Sequence, residues 1–71
     1  MNKEEDLKYI NSFSKITLTK ACNHFGYNIS NIRSGNSTEE ATHNVRKYIE
    51  NEIANIYKNE SMKYVEKNNS L

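Results

Sequence analysis

Seventy-one residues, 35% of them hydrophobic, with a mean hydropathy of −0.95, allow one small domain with a modest core. Ten Lys and Arg against nine Asp and Glu leave a net charge of +1, so bulk charge selects no partner. No apolar run approaches the roughly 18 residues of a membrane span, so no membrane partner is expected.

The single cysteine, Cys22, cannot close an internal disulfide, which fits a reducing compartment. The N-terminal stretch MNKEEDLKY has no apolar signal core, so a cytoplasmic location is expected and the Asn-x-Ser/Thr triplets at Asn28, Asn36 and Asn59 are idle as glycosylation sites. Five tyrosines argue for a folded body over a disordered chain. Charge is unevenly spread. Residues 14–47 hold Lys15, Lys20, Arg33, Arg46 and Lys47 against only Glu39 and Glu40, while both flanking segments are slightly acidic.

The first predicted element is a helix over residues 3–13, KEEDLKYINSF. Glu4, Glu5 and Asp6 occupy its first turn, where the positive end of the helix dipole favours acids. Leu7, Ile10 and Phe13 make one apolar stripe. Residues 14–17 connect, with Thr17 placed to cap a second helix, LTKACNHF. In that helix Leu18, Ala21, Cys22 and Phe25 share a face, and Gly26 stops it through a left-handed backbone.

Tyr27 and Asn28 open a third helix over residues 28–34, NISNIRS, which Gly35 closes. Seven residues are too few to hold a helix alone, so Tyr27 and Ile32 must anchor it. Ser37-Thr38-Glu39-Glu40 then reads as a capping box, with Ser37 as cap and Glu40 reaching back. The helix beyond carries Ala41, Val45, Tyr48, Ile49, Ile53, Ile56 and Tyr57 on one broad stripe. Residues 59–71, with Met62, Tyr64 and Val65, form a helix extension or a frayed tail. The expected fold is an all-α domain over residues 1–58 with four helices, or five if the tail forms its own, ending in a long amphipathic helix.

The central pattern, over residues 17–36, is helix, three-residue turn, helix. It resembles the helix-turn-helix of phage Cro-type and lactose-repressor-type regulators. Small residues inside the first helix (Ala21, Cys22), glycine at the turn (Gly26), an apolar residue after it (Tyr27) and a β-branched residue within the second helix (Ile32) carry the likeness. Tyr27 is bulkier than the usual valine or isoleucine. The run SGNSTEEATHNVRKYI follows the order of lactose-repressor-type headpieces, extending the likeness over about residues 16–50, while the preceding helix is closer to Cro-type domains. No counterpart of the sugar-sensing domain is present in these residues, so no small-molecule effector is expected.

The resemblance implies that the short helix enters the major groove of double-stranded DNA. Asn28, Ile29, Ser30, Asn31, Arg33 and Ser34 are the expected base contacts. Arg33 suits guanine, Asn28 or Asn31 adenine, and Ile29 a thymine methyl. Thr17, Thr19 and Lys20 on one side, and Asn36, Ser37, His43, Arg46 and Lys47 on the other, are the expected phosphate contacts. Each also has an ordinary reading as a solvated polar side chain. One domain with few cations binds weakly, so a homodimer on half-sites about 34 Å apart is expected, with Ile49, Ile53, Ile56 and Tyr57 at its interface.

No enzyme is expected. Cys22-x-His24 is too short a spacing for a usual zinc pair, and His43 is the only other imidazole, so no metal or other cofactor is implied. No glycine-rich phosphate loop or paired nucleophile and base emerges. The expected function is a small sequence-specific DNA-binding regulator, of the kind phages, plasmids and other mobile elements use at promoters. The alternative is a helical protein-interaction module, such as a phage-type inhibitor of a host protein.

Overall fold

The computed structural model describes the backbone of residues 2–69 and the side chains of residues 2–56. It is a small compact all-α domain of four helices: α1 (Lys3–Ile10), α2 (Lys15–Phe25), α3 (Ile29–Ser34) and a long α4 (Glu39–Asn69). Among the described residues there is no strand, and no helix is long and apolar enough to cross a membrane. Residues 57–71, which include Tyr57 and the apolar tail positions Met62, Tyr64 and Val65, lie outside the described side chains.

Local chemistry sets each helix end. Asn2 caps α1, its side-chain oxygen accepting from the Glu5 N–H at 3.1 Å. α1 stops at Ile10, three residues short of the sequence expectation, where one polar side chain engages its last turn and another reaches across to α3. Ser12 Oγ donates to the Tyr9 carbonyl at 2.6 Å, and Asn11 Nδ2 donates to the distant Arg33 carbonyl at 3.2 Å. Phe13 still packs on the core, brought back by that turn.

α2 begins earlier than expected. Ser14 is its cap, with Oγ accepting from the Thr17 N–H at 3.3 Å, so Thr17 lies within the first turn. The Ala41 N–H likewise donates to Thr38 Oγ1 at 3.1 Å, making Thr38 the cap of α4 in place of Ser37. Gly26 and Gly35 close α2 and α3 at φ 75° and 83°, in the left-handed region where glycine alone is unstrained. The Tyr27 N–H returns to the Cys22 carbonyl at 2.9 Å, and the Asn36 N–H to the Asn31 carbonyl at 2.9 Å.

All four helices feed one core of Ile10, Leu18, Ala21, Cys22, Ile32, Val45 and Ile49. Ile32 is fully buried, and burial of a side chain of that size stabilises by about 1.5–3 kcal/mol, which anchors the six-residue α3. Tyr27 packs beside it, and its phenol oxygen accepts from Asn44 Nδ2 at 3.1 Å. Phe25 departs from the expected inward face: it is 37% exposed and stacks on Tyr27 with ring centroids 5.1 Å apart.

Two polar side chains join the core. Thr42 bonds back to the Thr38 carbonyl at 3.0 Å. Asp6, 2% exposed, does more than favour a helix start. It meets Arg46 Nη1 at 3.0 Å and His43 Nδ1 at 3.1 Å, fastening the start of α1 to the first turns of α4. A buried carboxylate is tolerated only when paired in this way.

Candidate nucleic-acid interface

α3 presents one face to the core and one to water. Ile32 points inward, Ile29 is half-buried against the core, and Asn28, Ser30, Asn31, Arg33 and Ser34 are exposed. Asn28 has a structural task as well, since its Oδ1 caps α3 by accepting from the Asn31 N–H at 3.1 Å. Ser34 Oγ donates to the Asn31 carbonyl at 3.3 Å. Ile29 is therefore only partly available to a ligand.

Beside this face lies a cleft of about 530 Å³, lined by Ile29, Ser30, Arg33 and Ser34 from α3, Lys15 from α2, and Asn11 from the end of α1. The Asn11 bond to the Arg33 carbonyl ties the last turn of α3 to α1 and fixes the orientation of its backbone. Two cations and no carboxylate line the cleft. Among the described residues neither Arg33 nor Lys15 has an acid within 4.0 Å.

The other expected cations are differently placed. Lys20 pairs with Glu52 at 3.6 Å, and Lys47 with Glu50 at 3.8 Å. Arg46 donates to Glu50 at 2.9 Å and to Asp6 at 3.0 Å, and its guanidinium sits 4.6 Å from the Tyr9 ring centroid. Those two carboxylates, Glu50 first, hold Arg46 above its ordinary pKa. Together with His43 these groups line a separate depression with Asn2 and Glu5, apart from the α3 cleft. Thr19 lies next to Lys15 and Lys20 on the outer side of α2, Asn36 is exposed just after α3, and Ser37 is half-buried.

Thr17 turns to another place, an apolar groove between α2 and α4 that Lys20 also borders. Of the residues expected at a dimer interface, Ile49 is buried in the chain's own core, Ile53 is half-buried and Ile56 is 55% exposed. The structure thus divides the sequence-predicted contacts among several regions. It adds Lys15 and Asn11 to the α3 face. Reading Ser14 as the cap would have placed Lys15 at the start of α2, whereas the reach of Asn11 to Arg33 spans 22 residues and leaves no local signal.

Cys22 is buried, and burial pushes its thiol above the ordinary value. His24 is exposed beside Tyr48, with ring centroids 4.5 Å apart. Among the described residues no three His, Cys, Asp or Glu side chains converge to hold a metal ion. Compared with protein-family models, with curated proteins and with solved structures, the chain matches none.

Proposed function

We propose that this chain binds double-stranded DNA by laying the exposed face of α3 into the major groove, as a small sequence-specific regulator. The setting we favour is the control of a promoter by a phage, plasmid or other mobile element. The observation that carries the reading is the cleft where Arg33 and Lys15 stand without a carboxylate while Lys20, Arg46 and Lys47 are paired within the chain. A polyanion is attracted first to the unpaired cations. Arg33 suits bidentate contact with guanine, a contact of about 1–3 kcal/mol in discrimination, and Asn31 suits adenine. Lys15 and Thr19 then meet phosphate beside the groove.

The test is a fluorescence-anisotropy titration against the DNA upstream of the chain's own coding sequence, at two salt concentrations and with competitor DNA. Saturable binding that resists competitor and is lost in Arg33→Ala supports the reading. Lys47→Ala, which removes an exposed cation paired with Glu50, serves as the control for a cation already engaged within the fold. Binding that is weak, salt-sensitive and indifferent to Arg33 would rule out base reading by α3.

The second reading, a module that docks on a foreign protein, draws on the exposure of Ile16 and Ile56. Arg33→Ala would leave such an interaction intact.

A further inference from the structure

Among the described residues, three large apolar side chains remain substantially in water: Ile16 at 83%, Ile56 at 55% and Phe25 at 37%. The two most exposed border the same groove, of about 220 Å³, between the first turns of α2 and the middle of α4. Phe13 and Ile53 line it below them. Scattered exposed isoleucines are ordinary, but two flanking one apolar groove make a surface that contact with another molecule would take out of water.

Charge indicates which molecule. On the α2 side of the groove stands Lys20 and on the α4 side Glu52, 3.6 Å apart, with side chains 66% and 39% exposed. A two-fold contact brings the same patch from both copies, so the patch must complement itself. This patch does. It holds one cation and one carboxylate, a projecting isoleucine and a hollow to receive it. A two-fold axis near the pair would set each Lys20 against the partner copy's Glu52 and seat each Ile16 in the opposite groove.

We infer that the α2–α4 groove is a self-association surface occupied by a second copy of this chain. It extends the surface beyond the α4 stripe, since Ile49 is spent on the chain's own core and Ile16, Lys20 and Glu52 take part. The inference does not depend on DNA binding.

The experiment is sedimentation equilibrium of the full chain without DNA, from low micromolar to near-millimolar concentration. It covers the wild type, Lys20→Glu, Glu52→Lys and an equimolar mixture of the two variants. The wild type rises from the chain mass of 8.3 kDa toward twice that value. Each variant alone faces like charges across the axis and dissociates about tenfold more readily. In the mixture every cross-copy pair is opposite in sign again, so association returns to the wild-type range although the pair within each chain stays mismatched. Ile16→Ala weakens association with no change in the helical circular-dichroism signal, since that side chain is largely outside the fold. A wild type that remains at the chain mass throughout would overturn the inference and leave the groove to a foreign helix. So would a mixture no tighter than its components.

Discussion

The two glycines provide a test in which one backbone strain meets two different surroundings. Both sit in the left-handed region, Gly26 at φ 75° and Gly35 at φ 83°. A residue with a Cβ is disfavoured there by about 1–2 kcal/mol, partly offset by about 0.4–1 kcal/mol because the unfolded chain becomes less free. A Cβ on Gly26 meets nothing within 4 Å, whereas one on Gly35 lies 3.0 Å from Leu7 Cδ1. Gly26→Ala is therefore expected to cost about 1 kcal/mol. Gly35→Ala adds the displacement of a half-buried leucine, at the low end of the 1–3 kcal/mol for overpacking because Cδ1 ends a rotatable side chain, giving about 2 kcal/mol in all.

Urea unfolding followed by circular dichroism measures both. In a domain of this size the first corresponds to a fall of about 4–8 °C in Tm and the second to about twice that. Asparagine separates the causes, since it tolerates a left-handed backbone while still carrying a Cβ. Gly26→Asn should recover most of what Gly26→Ala loses, and Gly35→Asn should recover much less. Equal losses at the two sites, or equal recovery by asparagine, would refute the assignment of the extra cost to Leu7.

Replacing Asp6 with Asn removes the charge that holds both Arg46 and His43, and a loss of about 1.5–3 kcal/mol in urea unfolding is expected; an unchanged midpoint would mean the cluster contributes nothing to stability. Thr38→Ala should cost about 1 kcal/mol and Ser37→Ala almost nothing, and the reverse order would return the cap of α4 to Ser37. Burial raises the Cys22 thiol above its ordinary value of 9.0, so its contribution to stability is intact below that pH and declines as the pH climbs through the raised value. Thermal melts from pH 8 to 10.5 should show the wild type losing more stability than Cys22→Ala, and parallel curves would contradict it.

The parts of this fold that could be read in the sequence are those governed by nearby residues. Four helices, the glycine stops at Gly26 and Gly35, and the inward placement of Ile10, Leu18, Ile32 and Val45 follow from spacing alone. Caps were displaced where two candidates stood close together. Ser14 caps α2 in place of Thr17, and Thr38 caps α4 in place of Ser37. Partnerships across the chain were not legible. Asp6 reads as a first-turn acid until α4 supplies Arg46 from 40 residues away, and Asn11 reads as a helix residue until α3 offers a carbonyl. Helical spacing put Phe25 on the same face as Leu18 and Cys22; in the structure it stacks on Tyr27 at the surface, 37% exposed.

The division of labour within α3 bears on how freely the exposed face of such a helix can vary. Its position depends on Ile32, the two glycines, the Asn28 cap and the Asn11 tether to a backbone carbonyl. The side chains of Ser30 and Arg33 support none of that, and Asn31 contributes only its backbone. Variation at these three positions is therefore free to wander without repairs elsewhere in the domain, and, on the proposed DNA-binding reading, a lineage could try a new partner sequence one substitution at a time without passing through an unfolded ancestor.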